Sequence, residues 1–245
     1  MDVKNYFKGT MIVVPALLFL ATTAWGHGAW VEKRQDDIVV VYGHGPSDDA
    51  YAPEKIKKTT AYDSSGNSMK SGVKEAKGGY VPLEVAEGTA IVAVDFDNGF
   101  WSEDADGKWH NVPKTKVANA KQGGHYVKNA LAILGHFDTL PESFELPLVI
   151  LPQSDPLKLK AGDDLRIQVQ YNGKPLPEKN IIGDFVNLDS TVSAVTDAQG
   201  FATIKLRNQG LNVIAVSAEE KFKDNPDADK LSIMTTLSFT LKGSE

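Results

Sequence analysis

The sequence contains no cysteine among its 245 residues. This absence excludes disulfide bonds, thiolate metal ligands and cysteine nucleophiles, and it leaves histidine, aspartate and glutamate as the strong candidates for metal ligands. Histidine is itself scarce, since the chain has five. There are 26 lysines and arginines against 32 acidic residues, and no basic stripe that could neutralise the phosphates of a nucleic acid. We therefore expect no nucleic-acid partner.

The sequence also lacks the short motifs that position a catalytic group. It has no G-x-S-x-G, no H-E-x-x-H and no glycine-rich phosphate loop. The acidic segment at 95–107 does not have the D-x-D-x-D-G spacing of a calcium loop. We expect a protein that is not an enzyme.

An uncharged apolar run, MIVVPALLFLATTAW, occupies residues 11–25 and follows a segment with two lysines. This run is shorter than the roughly 20 residues that span a bilayer, which is typical of a secretory signal. Ala24 and Gly26 satisfy the small-residue rule for a cut after Gly26, and a cut after Ala24 also fits. We expect residues 1–26 to be a signal peptide and the mature protein not to span the membrane. An uncleaved N-terminal anchor is the alternative.

The remainder of the chain has the pattern of short β-strands between turns. IVVVY (38–42) and AIVAVDF (90–96) are β-branched apolar runs, and LRIQVQY (165–171) alternates apolar with polar residues. This pattern predicts an all-β fold of sandwich type. The segment KNALAILG (128–135) is the best candidate for a helical turn.

A passage punctuated by prolines at 142–165 suggests a domain boundary. We predict two β-sandwich domains, one at 27–148 that carries all five histidines and one at 149–245 that is immunoglobulin-like. Any histidine-based chemistry would then belong to the first domain.

Two histidines are found on either side of the first predicted hairpin. HGAWVEK and IVVVYGH enclose the polar residues 34–37, and with these as the loop Lys33 pairs with Ile38. His27 then lies opposite His44. Opposed residues of an antiparallel pair have Cβ atoms about 4.5 to 5.5 Å apart on one face, so the two imidazoles could share one metal ion. A slip of one residue would separate them.

Cleavage after Gly26 would give His27 a free α-amine, whose pKa of about 7.7 to 8.0 allows a bound metal to displace its proton. This amine and the two imidazoles would form three nitrogen ligands, which suit nickel, cobalt, copper or zinc better than calcium or magnesium. Asp48 and Asp49 could add oxygen ligands or orient the imidazoles. The alternative is that His44 is a turn residue and His27 an exposed terminus.

The other three histidines are weaker candidates. His125 follows two glycines in AKQGGHYVKNA, and we predict it to be a third metal ligand from a loop. His110 is expected on a surface strand. His136 follows the predicted helical turn, where a structural role is expected.

Several short segments occur together in a fixed order: HGAWVE, YGHG, YVPLE, AVDFDNGFW, DGKWHNVPK, HYVKNA, LPLVILPQSDPLKLKAGDDLRIQVQYNGKPLP and TDAQGFATIKL. As a set they resemble the DUF4198 family, over essentially the whole chain after the predicted signal. The resemblance implies a periplasmic component of a nickel or cobalt uptake system of the energy-coupling-factor type. Such a protein would pass Ni(II) or Co(II) to a membrane transporter, its protein partner.

Individual positions of the family are matched as well. The family's histidines after the signal and in the GH motif correspond to His27 and His44. Its Y-x-K-x-A segment corresponds to Tyr126, Lys128 and Ala130, to which the resemblance attaches no role. Two other functions stay open: a periplasmic copper protein with a terminal-histidine site, and a metal-independent adhesive or carbohydrate-binding β-sandwich.

Overall fold

The computed structural model of the protein describes residues 26–242, and nearly every element in this range is a β-strand. The predicted all-β sandwich fold is confirmed. Three single 3₁₀ turns interrupt the strands, at Pro53–Lys55, Lys114–Lys116 and Pro156–Lys158. No helix within the described range is long and apolar enough to cross a bilayer. The predicted signal peptide, apart from Gly26, lies outside the described residues.

The first nine strands precede residue 148. They are β1 Gly28–Arg34, β2 Asp37–Gly43, β3 Ile56–Tyr62, β4 Ser68–Met69, β5 Ser71–Val73, β6 Val81–Val85, β7 Ile91–Glu103, β8 Trp109–His110 and β9 Gln122–Ile133. The remaining strands are β10 Leu148–Pro152, β11 Asp164–Tyr171, β12 Lys174–Pro175, β13 Asn180–Ile182, β14 Val192–Val195, β15 Phe201–Lys205, β16 Leu211–Lys221 and β17 Lys230–Thr240.

These strands form three sheets. The N-terminal sheet has the order β1-β2-β6-β5, and the C-terminal sheet has the order β10-β11-β12 with β15 also paired to β11. The central sheet has the order β14-β13-β16-β17-β9-β7-β3-β4, with β8 paired to β7. Strands β17 and β9 pair in parallel, from Lys230 opposite Gly124 to Phe239 opposite Ile133. The central sheet therefore contains strands from both sides of the predicted domain boundary at 148/149, which itself stays a prediction.

Strand β9 shows why the central sheet is a middle layer. Leu131 and Ile133 belong to the apolar core that the C-terminal sheet covers, whereas Ala130 and Ala132 belong to the core that the N-terminal sheet covers. Because both faces are buried, KNALAILG is apolar without the alternation of a half-exposed strand. The predicted helical turn at 128–135 is therefore wrong, since most of that segment lies in β9.

The β1-β2 hairpin has the predicted register. Lys33 pairs with Ile38, and the ladder runs from Arg34 opposite Asp37 to Gly28 opposite Gly43. The turn is shorter than predicted, two residues in place of four, because Arg34 and Asp37 themselves pair. Each strand is one residue longer than predicted, so the pairing of the other residues in the hairpin is unchanged.

Two hydroxyl groups attach β1 to the central sheet. Thr236 Oγ1 donates a hydrogen bond to the Ala29 carbonyl (2.7 Å), and Ser238 Oγ donates one to the Val31 carbonyl (2.6 Å). Both hydroxyls are buried. They satisfy carbonyls on the outer edge of β1, which has no neighbouring strand among the described residues. The start of β1, next to His27, is thereby held over β17 and β9.

Candidate metal-binding site

His27 and His44 face each other at the open end of the hairpin. Each lies one residue beyond the terminal Gly28–Gly43 pair, and their ring centroids are 6.1 Å apart with the planes inclined by 53°. A metal bound to an imidazole nitrogen at about 2.0 to 2.1 Å lies about 3.2 Å from the ring centroid, so two rings on one ion have centroids at most about 6.4 Å apart. The observed separation lies within this reach.

Each imidazole is held by one carboxylate. His27 Nε2 lies 2.6 Å from Asp49 Oδ2, and His44 Nδ1 lies 3.1 Å from Asp189 Oδ2. In the tautomer that places each ring proton beside its carboxylate, the lone pairs are on His27 Nδ1 and His44 Nε2. Both side chains are about half exposed, 47% for His27 and 44% for His44, so solvent reaches the space between them.

The chain after β2 folds back sharply, and this brings Asp49 to His27. The Asp49 amide donates to the Tyr42 carbonyl (2.8 Å), and the Ser47 amide donates to the His44 carbonyl (3.2 Å). A Cβ atom on Gly43 would lie 1.8 Å from the Ser47 carbonyl oxygen, so only glycine fits at this position. The glycine before His44 is thus required by the close approach of the returning chain.

Glycine is required after His44 for a different reason. Gly45 has a φ of +58°, which is strained for most other residues, and a Cβ atom there would lie 3.1 Å from Asp189 Oδ2. Glycine thus lets the backbone turn and leaves room for the carboxylate that holds His44. The Gly-His-Gly sequence at 43–45 is explained by these two constraints.

Aromatic rings pack beneath and beside the two histidines. Tyr42 stacks on His27 (5.2 Å between centroids, 18°) and on Phe96 (5.2 Å, 10°), and Phe185 meets His44 edge-on at 6.5 Å. Burial raises the pKa of Tyr42 to about 12, so its phenol stays protonated at neutral pH and is a poor metal ligand. The aromatic rings therefore position the imidazoles and leave metal binding to nitrogen.

The two aspartates predicted near the site have different roles. Asp49 holds His27, whereas Asp48 binds Arg34, with Arg34 Nη2 3.0 Å from Asp48 Oδ1. Asp189, which holds His44, was missed by sequence reasoning. It lies in the connection between β13 and β14, far along the chain, and nothing in its neighbouring residues signals a contact with His44.

The structure does not bring His125 to the other two predicted ligands. His125 lies in β9, not in a loop, and shares a face with Val127, which packs against the core covered by the C-terminal sheet. Tyr42, in contact with His27, belongs to the core on the opposite face of the central sheet. His125 Nε2 binds Asp97 Oδ1 (2.8 Å), and its ring stacks on Phe100.

The remaining histidines each bind a carboxylate elsewhere. His110 Nε2 lies 2.7 Å from Asp104 Oδ2 and helps to lower the pKa of that carboxyl group to about 2. His136 Nδ1 lies 2.7 Å from Asp155 Oδ2, and Asp155 also accepts a hydrogen bond from the Leu157 amide. The predicted helix before His136 does not exist, so its partner is this buried aspartate and not a helix dipole.

Comparisons with known proteins agree with the resemblance noted in the sequence. Residues 24–220 match the family described as Domain of unknown function (DUF4198). An uncharacterized protein of Haemophilus influenzae is 28% identical over 234 residues, which cover 95% of this chain and 97% of that protein. No solved structure matches the chain. The family match extends over more than half of the chain's length, and the chain therefore belongs to the DUF4198 family.

Proposed function

We propose that the mature protein is a periplasmic metal-binding protein that carries one divalent transition-metal ion between His27 and His44. The observation that supports this most directly is the facing pair of imidazoles, each held by its own carboxylate. Carboxylates bound to the outer nitrogen of metal-ligating histidines fix the ring orientation and raise the basicity of the other nitrogen. Half-exposed imidazoles with this arrangement are suited to accepting an ion from solvent.

The third ligand in this proposal is the α-amine of His27. Side chains within residues 26–242 do not form a group of three or more histidine, aspartate or glutamate residues that could hold an ion. Cleavage after Gly26 would free the His27 amine, and the available Nδ1 is the ring nitrogen nearer to the backbone. Amine, Cα, Cβ, Cγ and Nδ1 would close a six-membered chelate ring around a metal. His44 Nε2 would complete a set of three nitrogen donors.

Three nitrogen donors suit Ni(II), Co(II) and Cu(II), and leave coordination positions open for exchange. Exchange is what a delivery protein needs, since it must release the ion to a partner. The resemblance to components of nickel and cobalt uptake systems supports Ni(II) or Co(II) as the cargo and a membrane transporter as the recipient. In this role the protein is not an enzyme.

Calorimetric titration of the mature protein, starting at His27, tests the proposal. We expect Ni(II) and Co(II) to bind with one-to-one stoichiometry, and the His27→Ala and His44→Ala variants to lose at least about tenfold in affinity. His110→Ala is the matched control, because His110 also binds a carboxylate but lies elsewhere. A protein with one extra N-terminal glycine should bind more weakly, since its amine is displaced. Equal affinity in all of these proteins would refute the site.

A copper protein is the second candidate. The observation in its favour is the same pair of free nitrogens, because a chelate of amine and Nδ1 with an opposing His44 Nε2 suits the tetragonal geometry of Cu(II). Since Cu(II) binds such sites more tightly than Ni(II) in any case, affinity does not distinguish the two. Metal content after growth in limiting metals does, and a type-2 Cu(II) resonance spectrum from protein as isolated would favour copper.

A further inference from the structure

Lys128 lies in the central sheet, in the layer beneath the two histidines. On the central sheet its neighbours are Phe96 on β7 and Met234 on β17. Phe96 stacks with Tyr42, the ring that contacts His27, and a Cβ atom on Gly28 would lie 3.4 Å from Met234 Sδ. Both neighbours of Lys128 thus contact residues that adjoin His27. Lys128 shares its face of β9 with the alanines beneath the N-terminal sheet, so its side chain enters the layer below the hairpin.

The Lys128 side chain is largely buried, and its amine has no partner among residues 26–242. Its residue is 5% exposed, and Nζ makes neither a hydrogen bond nor a salt bridge with any residue of the described range 26–242. The ring of Tyr126 lies 5.9 Å from Nζ. Glu219 raises the pKa of Lys128 from a distance, but its carboxylate is bound to Lys230 Nζ (2.6 Å). A lysine that is largely removed from solvent and has no acidic partner is costly to charge, and an anion that joins it lowers this cost.

The charge of this amine decides what it can bind. Burial lowers the pKa of Lys128 to about 8, so about nine tenths of the molecules are protonated at pH 7. An ammonium group repels a bare divalent cation and attracts a carboxylate. Because the side chain is largely buried, solvent screens its charge only in part. The Lys128 ammonium therefore favours a negatively charged ligand, while the imidazoles above it favour a metal ion.

We propose that Lys128 recognises an anionic group of the cargo, which is a complex of the metal ion with a small carboxylate chelator. One carboxylate of the chelator pairs with Lys128 Nζ, and its other donors occupy coordination positions that the histidines leave open. This inference rests on the proposed metal site at His27 and His44. It names the substrate class of that site as a metal–carboxylate complex. The Lys128 ammonium can distinguish this complex from the bare ion because the two differ in charge.

The test uses the mature protein with Ni(II) alone, citrate or malate alone, and each nickel complex, all by calorimetry. We expect a nickel complex to bind at least about tenfold more tightly than Ni(II) alone, as a buried charge-assisted pair requires. Lys128→Met should remove this preference and leave the affinity for Ni(II) alone equal or higher. Lys205→Met is the matched control, since it removes the same charge at an exposed position that is paired with Asp164 and not with Glu219.

The possible failures are distinguishable. Binding of Ni(II) alone as tight as that of either complex, with no change in Lys128→Met, overturns this inference and leaves the metal site intact. Metal-independent binding of citrate or malate that Lys128→Met abolishes also overturns it, because the cargo would then be the acid itself. Absence of nickel binding in every arm refutes the proposed function and this inference together. Thermal unfolding shows whether each protein is folded. A second variant, Lys128→Gln, removes the same charge with a different side chain.

Discussion

The imidazole of His44 is held by Asp189, with His44 Nδ1 3.1 Å from Asp189 Oδ2. The two residues come from different sheets: His44 directly follows β2 of the N-terminal sheet, and Asp189 lies in the connection between β13 and β14 of the central sheet. This contact ties the histidine hairpin to the C-terminal half of the chain. It also places the carboxylate beside His44 Nδ1, so that Nε2 is the ring nitrogen directed away from it.

Neutralising the carboxylates that hold the imidazoles should weaken metal binding. Asp49→Asn and Asp189→Asn retain the shape of the side chains but remove the negative charge that lies beside each ring. We expect each variant to lose about 10- to 100-fold in affinity for Ni(II), as is usual for such outer partners of metal-ligating histidines. Calorimetric titration measures the change, and Asp104→Asn, beside His110, is the control. Unchanged affinity in both variants would show that the carboxylates do not act on the site.

Removing His125 should leave metal binding unaltered. The residue projects from the other face of the central sheet and is bound to Asp97. We expect His125→Ala to bind Ni(II) within about twofold of the unmodified mature protein, because residues without a shared partner act independently. A tenfold loss would mean that His125 reaches the ion and that the separation of the two faces does not hold in solution.

Adding a methyl group at Gly43 should destabilise the protein and the site together. The new Cβ would lie 1.8 Å from the Ser47 carbonyl oxygen, so the returning chain must move, and Asp49 with it. We expect Gly43→Ala to lower the free energy of unfolding by about 2 to 4 kcal/mol. Urea denaturation measures this. Gly79→Ala serves as the control because a Cβ there meets nothing within 4 Å, and an equal loss in both variants would contradict the argument.

The largely buried side chain of Lys128 should make stability depend on pH. Its pKa falls from the ordinary value of 10.5 to about 8 in the folded protein because burial disfavours the charged form. Between these two values the unfolded chain binds more protons, so the free energy of unfolding rises with pH across this window. Below it the cost of the buried charge is fully present, at about 3 kcal/mol.

Urea denaturation of the mature protein and of Lys128→Met from pH 7 to 11 isolates this contribution. We expect the variant to be the more stable protein at pH 7 and the difference to shrink as the pH rises through the window from about 8 to 10.5. A constant difference between the two proteins at all pH values would show that the amine is not charged and buried together.

The hairpin shows which part of the site can be predicted locally. His27 and His44 are close in sequence, and the register follows from two strands joined by a short polar turn. The observed turn has two residues and not the predicted four, but the predicted pairs within β1 and β2 are all present because Arg34 and Asp37 only extend the ladder by one pair. The facing histidines are a property of the sequence near them.

Contacts between distant segments could not be predicted in this way. The position of Asp189 at His44, and that of Lys128 beneath the hairpin, depend on how the N-terminal sheet packs on the central sheet. The KNALAILG segment was mistaken for a helical turn because burial on both faces removes the alternation that marks a strand.

The sequence by itself determined the β character of the chain, the pairing of the first hairpin and the meeting of His27 with His44, because these depend on residues near one another in the chain. Only the tertiary structure decided which carboxylate lies beside His44, which face carries His125, and that the largely buried side chain of Lys128 has no hydrogen bond or salt bridge among residues 26–242. The physical reason is that these features arise from the stacking of sheets, which brings together residues from distant parts of the chain.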